Sequence, residues 1–341
     1  MELTRSSTIL RRSVFKVTAS AERWPIKGTF GISRAQLTTS YVVVAELTDG
    51  KCIGRGECEP DDVDENQSAI AINAMLALNG RIDETTTGAD LIEWIPSAPV
   101  RNAVDCALWD LKAKRAGKRV WDLCSITPKA SLPTVFTLGL GSPEAMAVEA
   151  LAAQDWQMLK VKLGGKDDVD LDRIARIRSV RPQCGLIVDA NGGWTLARLE
   201  QLLPHLVAAG VELIEQPLAL GADDALSGFQ SPIPLCADES CLDRASLAHV
   251  IGKYQAINIK LDKTGGLTEA LALADAADTA GLTIMVGCML GTSLAMAPAW
   301  VVAQRAAFID LDGPLLLSRD RDLGMTYAHG QILMPPPEVW G

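Results

Sequence analysis

The stretch MLKVKLGG (158–165) ends a short apolar run on two lysines, Lys160 and Lys162, and four later stretches repeat that pattern. LIVDAN (186–191) closes on Asp189, ELIEQP (212–217) on Glu215, PLCADES (234–240) on Asp238 and AINIKLDK (256–263) on Lys260. From Lys162 onward the steps are 27, 26, 23 and 22 residues. One βα unit, with its strand, crossover helix and two loops, consumes about that much chain. Parallel strands wound into a barrel all end at one face, so these residues would meet around a single cavity. Three acids flanked by lysines suit the holding of a hard metal ion and the movement of a proton. The chain reads as an enzyme.

Outward from these runs the alternation continues. Strand-like segments lie at 134–140, 159–163, 186–189, 213–215, 235–238, 256–260, 283–286 and 307–312, with helical stretches such as LDRIARIRSV and LTEALALADAADTAG between them. A doubly wound open sheet uses the same alternation, but the polar strand ends run on without a switch point, which favours a closed α/β barrel. The first 60 residues look antiparallel: VFKVTAS, a polar Gly-containing stretch from Trp24 to Ser40, then YVVVAELTDGKCIGRGECEP with Asp49-Gly50 as a hairpin turn. VRNAVDCALWDLKAKRAG changes to helical period, with Gly117 as its stop. An α+β domain over 1–130 and a barrel over 131–317 are therefore expected. The tail from Gly324 is too short for a domain, and 318–341 is expected to pack back on the first.

With 341 residues, the chain has room for both. A formal charge of −10 with no offsetting basic stripe argues against nucleic acid or an anionic membrane as partner. The eight cysteines form no CxxC pair or Cys/His cluster, so reduced thiols in a cytoplasmic protein are expected rather than disulfides or zinc. MELTRSSTILRRSVF lacks the long apolar region of a secretory signal, and no stretch reaches the roughly 18 uncharged apolar residues of a membrane span.

Lys160 and Lys162 face the same side of a strand while Val161 faces the other. Two buried ammonium groups repel and lose solvation, and both effects are expected to lower their pKa towards that of a general base. Oxygen ligands without His or Cys, as in Asp189, Glu215 and Asp238, suit Mg²⁺ better than zinc. Asn191 and Glu239 stand beside them as candidate supports. Asp310 and Asp312, spaced by Leu311, either bind a substrate ammonium group or belong to the turn Asp312-Gly313-Pro314. His205, His249 and His329 close no strand, which disfavours histidine-based barrel chemistry. The glycine pairs after strand ends make no GxGxxG or P-loop, so no nucleotide site is inferred.

At these residues the chain resembles the enolase superfamily, in its muconate-lactonising subgroup, and within that the dipeptide epimerases of the L-Ala-D/L-Glu type. The resemblance is carried by RNAVDCALWDL, LKVKLGG, LIVDAN, IEQPL, CADES, INIKLDKTGGLTEALALA, GCMLGTS and DLDGP. It implies a (β/α)7β modified TIM barrel under an N-terminal capping domain completed by the C-terminal tail. It also implies one Mg²⁺ per subunit on Asp189, Glu215 and Asp238, with Lys162 and Lys260 on opposite faces of the substrate and Lys160 in electrostatic support. The implied reaction inverts the α-carbon of a dipeptide's C-terminal residue by 1,1-proton transfer through an enediolate, and Asp310 and Asp312 hold the dipeptide's ammonium group. Specificity is implied for the loop around 24–39 and for the strand ends at Thr137 and Met289. Arg34 or Lys27 would meet a substrate side-chain carboxylate. Leu37 stands where glutamate-preferring relatives carry a further arginine, and GECEPDDVDENQS is unusually acidic; both leave room for a different second residue. Barrels of this kind often self-associate, so a homo-oligomer is expected. The competing readings are o-succinylbenzoate synthase, N-acylamino acid racemase or muconate cycloisomerase chemistry, and a non-catalytic barrel.

Overall fold

A computed structural model describes residues 14–32, 35–60, 65–165 and 167–341. Strands β1 (Lys16–Ile32), β2 (Ala35–Thr48) and β3 (Ile53–Cys58) form an antiparallel sheet. Helix Ala98–Ala116 packs across that sheet and ends at Gly117, whose φ of 60° suits a glycine at a left-handed cap. Phe15, Val43, Leu47, Met75, Val104 and Leu111 share the core of this layer. Residues 24–32 and 35–40, expected as part of a connection, instead pair in the outer half of the β1–β2 hairpin, with a register shift between Pro25 and Phe30. Polar composition hid it because few of these side chains are buried: long hairpin arms are held by backbone pairing and need no apolar alternation.

The eight barrel strands follow a short strand β4 (Ser131–Pro133). They are β5 (Phe136–Leu138), β6 (Met158–Lys162), β7 (Gly185–Asp189), β8 (Val211–Glu215), β9 (Leu235–Ala237), β10 (Ala256–Ile259), β11 (Thr283–Val286) and β12 (Phe308–Ile309), paired in parallel in that order. The first and last also meet. The Val135 N–H donates to the Ile309 carbonyl at 2.9 Å, and the Thr134 hydroxyl donates to the same carbonyl and accepts from Leu311 N–H. The sheet is therefore closed, as the unbroken sequence alternation implied.

Side-chain alternation sorts each strand into two faces. Val161, Val188, Ile214, Ile257 and Val286 face outward into one core with helices such as Leu196–Ala208 and Leu267–Thr279. Val135, Ile187, Leu213, Cys236, Ala256 and Met285 face inward and form an apolar floor. Two residues further along each strand the inward positions turn polar, except on β11, where Gly287 follows Met285.

The tail adds β13 (Tyr327–Ala328) and β14 (Gln331–Leu333), the latter paired with β4. Beyond it the Trp340 indole N–H donates to the Cys106 carbonyl at 3.1 Å, and Gly341 N–H donates to Asp110 at 2.7 Å. Trp340 is 1% exposed. Replacing a buried tryptophan by alanine costs about 3–5 kcal/mol. Trp340→Ala should accordingly lower the unfolding free energy from urea titration by an amount in that range, and an unchanged value would show that the tail adds nothing to the stability of the helix beneath it.

Candidate active site

The polar layer can be placed by counting strands around the ring. Thr137 lies on the first barrel strand (β5), and Lys160 and Lys162 on the second; Asp189, Glu215 and Asp238 end the third, fourth and fifth. Lys260 follows the sixth, Cys288 and Met289 follow the seventh, and Asp310 and Asp312 follow the eighth. Second and sixth strands are four steps apart in a ring of eight, so Lys162 and Lys260 face each other across the mouth. The three acids fill the arc between them on one side. Asp310, Asp312 and Thr137 occupy the other.

These groups enclose a cavity of about 220 Å³, lined by both lysines, Lys160, Thr137, Asp238, Met289, Asp310 and Asp312. Asp189 and Glu215 lie beneath it, fully buried, in contact with the lysines that line it. The hairpin contributes Phe30, Ile32 and Leu37 to its outer wall, and Glu59 and Glu239 complete the rim. Burial first, and then neighbouring Asp262, pushes Glu59 up to about 8. Lys27 is placed elsewhere: its ammonium donates to the Leu315 carbonyl at 3.0 Å and lines a neighbouring cavity, so it does not meet a ligand in this one. Arg34 lies outside the described residues.

The charges are interlocked. The Lys160 ammonium stands 2.7 Å from Glu215, 2.7 Å from Asp310 and 3.2 Å from Asp189. Lys162 pairs with Asp189 at 2.5 Å, and Lys260 with Asp238 at 2.7 Å. Burial by itself would depress Lys160, as the sequence led us to expect, and Lys260 as well. Instead the carboxylates, Asp310 and Glu215 foremost for Lys160 and Asp238 for Lys260, outweigh burial and hold both well above the usual lysine value. Burial would likewise raise Asp189, but Lys162 and Lys160 hold it down at about 2. Glu215 goes the other way, to about 7, because burial and Asp189 together exceed the pull of Lys160.

Three supports were not singled out in the sequence. Asn258 donates to Glu215 at 2.8 Å and fixes the carboxylate from below. It lies two residues before Lys260 and so on the same inward face, a signal that the alternation rule could have used. Gln216, at φ 35°, accepts from the N–H groups of Asp238 and Ser240 and donates to Ser240 and Tyr254, tying the fourth strand end to the fifth. Glu57, buried in β3, accepts from Thr292 N–H at 2.7 Å and pairs with Arg321, while the Ser40 hydroxyl donates to the Leu290 carbonyl. The capping sheet thereby grips the loop after the seventh strand. Of the two candidate supports, Asn191 donates through its backbone to Asp189 at 2.9 Å, and Glu239 lines the cavity.

Among the described residues, no three His, Cys, Asp or Glu side chains stand together as a ready cage for a metal ion, because ammonium groups sit between the acids. The donor set nevertheless fits a hard cation. All three acids offer oxygen alone from adjacent strand ends, and Glu215 Oε2 and Asp238 Oδ1 are buried without an aligned hydrogen bond, touched only by the ion pairs to Lys160 and Lys263.

On the opposite arc, Asp312 accepts from Thr137 N–H at 2.6 Å. Burial first, and then Asp310, pushes its carboxyl up to about 8, and no cation among the described residues lies within ion-pair distance of it. A cationic group entering here would supply the missing charge.

Residues 14–124 match the family model for the mandelate racemase / muconate lactonizing enzyme N-terminal domain, and residues 144–334 match that for an enolase C-terminal domain-like fold. An N-acetyl-D-glutamate racemase from a Pseudoalteromonas species is 46% identical over 253 residues, covering 74% of this chain and 79% of its own. The L-Ala-D/L-Glu epimerase of Escherichia coli K12 is 39% identical over 315 residues, covering 91% and 97%. Among solved structures, an enolase family member from Agrobacterium tumefaciens with homology to dipeptide epimerases, with bound sodium and L-Ala-L-Glu, superposes with a TM-score of 0.91. It is 42% identical and the match covers 96% of this chain and all of that one. A dipeptide epimerase from Cytophaga hutchinsonii, complexed with Mg and D-Ala-L-Val, gives 0.87 at 26% identity, covering 95% and 94%.

The raised carboxyl carries a sign that can be tested. Asp312 sits at about 8 in the fold against an ordinary 3.8, so folding favours its uncharged form. Its stabilising effect is present below about pH 4 and is lost as the pH rises through 8. Asp312→Asn is neutral throughout. In thermal melts without ligand, its melting temperature relative to the parent should rise between about pH 5 and 9. A flat difference would mean that the carboxyl ionises as easily inside the fold as outside.

Proposed function

The chain belongs to the enolase superfamily, in the mandelate racemase / muconate lactonizing enzyme family, and from that membership we propose that it is a Mg²⁺-dependent dipeptide epimerase acting on L-Ala-D/L-Glu. The observation that carries the reading is the arrangement of charge around the mouth. Three acids on one arc suit a cation that engages a carboxylate. The under-neutralised Asp310–Asp312 pair on the other suits an ammonium group, and a lysine stands on each side between them. A dipeptide carries both end groups and spans the gap.

Asp189, Glu215 and Asp238 would hold the metal ion, which supplies positive charge against the negative charge that develops on the substrate carboxylate as its α-proton leaves. Lys162 and Lys260, approaching from opposite sides, would remove the proton from one face of the α-carbon and return one to the other, inverting it. Engagement of Asp238 by the metal would relieve Lys260 of the carboxylate that now holds it protonated. Lys160, seated among Asp189, Glu215 and Asp310, would keep these groups apart in the right register. Thr137 orients the Asp310–Asp312 pair, Met289 borders the substrate, and Arg34 is the candidate partner of a substrate side-chain carboxylate.

The Pseudoalteromonas relative is an N-acetyl-D-glutamate racemase. An acetylated nitrogen carries no positive charge and could not draw the raised Asp312 carboxyl into an ion pair, so the pair favours a free amino terminus. All eight cysteines are free, which supports the reducing cytoplasm as the setting. No helix among the described residues is long and apolar enough to cross a membrane. We further propose that the chain divides into a capping domain (1–130 with 318–341) and a barrel (131–317), and that it self-associates.

Proton NMR of L-Ala-L-Glu and L-Ala-D-Glu in D₂O with Mg²⁺ tests the reaction directly, through loss of the glutamate α-proton signal and growth of the other diastereomer. Lys162→Ala and Lys260→Ala should each reduce epimerisation by roughly 10²–10⁴-fold while keeping α-proton exchange on one enantiomer, a different one in each variant. Full epimerase activity in either would remove the two-base assignment. Asp312→Asn should lower kcat/KM for L-Ala-L-Glu by about ten- to a hundredfold, the worth of a charged hydrogen bond, with N-acetylglutamate far less affected. Equal losses on both substrates would instead place Asp312 in support of the barrel end.

A further inference from the structure

Phe30 and Leu316 each line two cavities, the active-site cavity and a second one of about 230 Å³ beside it. They belong to a small apolar cluster with Ile26, Leu290 and Leu317 that is separate from both main cores. The second cavity lies outboard of the Asp310–Asp312 arc. Its lining comes from the chain just beyond the first barrel strand, Gly139 and Leu140, and just beyond the eighth, Leu315, together with Met146 of the following helix. The hairpin roofs it and is anchored at both ends. Lys27 donates to the Leu315 carbonyl, and the Leu140 N–H donates to the Gly31 carbonyl at 2.8 Å. Any side chain at Gly31 would put its Cβ 2.3 Å from the Leu140 carbonyl oxygen, so the second anchor requires glycine.

A dipeptide held by its ammonium group at Asp310 and Asp312 has its first α-carbon one bond away, about 1.5 Å from that nitrogen. The first side chain therefore starts at the partition that Phe30 and Leu316 form. We propose that these two residues determine specificity for the substrate's first residue: they hold it to a small side chain, and the cavity behind them takes a large apolar side chain once either is shortened. The inference rests on the dipeptide reading above. The lining is mostly hydrocarbon, Lys27 is engaged by a carbonyl, and burial holds the Glu149 carboxyl above its usual value. An apolar cavity of about 150 Å³ already admits a benzene ring, so the space is ample for a benzyl group.

The test compares L-Ala-L-Glu with L-Phe-L-Glu by α-proton exchange in D₂O with Mg²⁺, using the parent, Phe30→Ala and, independently, Leu316→Ala. The parent should favour alanine at the first position. In each variant the ratio of kcat/KM for the phenylalanine dipeptide to that for the alanine dipeptide should rise at least about tenfold, the scale of a change in pocket size. Ala145 lines the second cavity alone, and Phe30→Ala/Ala145→Phe should reverse the gain. Retained L-Ala-L-Glu turnover shows that a variant is folded. The inference is overturned if folded variants keep the parental ratio, if the refilled double variant keeps the gain, or if the parent already accepts both dipeptides equally. Failure of the parent to exchange any dipeptide would overturn the dipeptide reading itself, and this inference with it.

Discussion

Buried charges tolerate no vacancy among their partners, and that constraint organises this protein. Lys160 is 1% exposed and Asp189 and Glu215 are fully buried, so each is stable only because its neighbours carry the opposite sign. Breaking such a pair leaves an uncompensated charge and costs about 3–5 kcal/mol, whereas exposed pairs are worth little. The register of the strands serves this end. Lys162 stands directly opposite Asp189, and Asp189 opposite Glu215, so each charge meets the next at strand spacing. A slip of one residue would turn every charge outward into the helical layer and every valine inward.

The same constraint pairs the site's acids within the chain itself. Ammonium groups occupy the space between the acids and neutralise them until a cation of higher charge density competes. On the far arc the balance is incomplete, since Asp312 has Thr137 but no cation among the described residues. On the proposed reading, one side of the mouth would accept positive charge by exchange and the other by deficit. A molecule with a carboxylate at one end and an ammonium at the other fits both arcs at once.

The capping sheet borders the cavity through contacts outside the charged layer. Glu57 and Ser40 hold the loop after the seventh strand, and the hairpin brings Phe30, Ile32 and Leu37 over the mouth. Apolar side chains over the mouth limit access of water and so strengthen the electrostatic interactions beneath them. They also set size limits, because packed side chains yield less readily than solvent. On the reading proposed above, charge would select the ends of the ligand and the hairpin what hangs between them.

The strand ends and their metal-suited acids were legible in the sequence because strand alternation is a local property. Lys160, Lys162, Asp189, Glu215, Asp238 and Lys260 share one face by covalent geometry, and their spacing of 22–27 residues implied the winding. The β1–β2 hairpin was not legible, since its arms pair through backbone groups common to every residue. Nor was the ionisation of Lys160: two like charges in one strand predicted a lowered pKa, and only the fold showed four acids from other strands reversing it there. Gln216, Glu57 and the Phe30–Leu316 partition escaped notice for the same reason, each taking its role from partners 20 to nearly 300 residues away. The sequence by itself determined which side chains would face inward and which chemistry they carry, because alternation along a strand is local. Tertiary structure alone decided which charge meets which and how much room remains, because electrostatics and packing are sums over neighbours that the chain brings from afar.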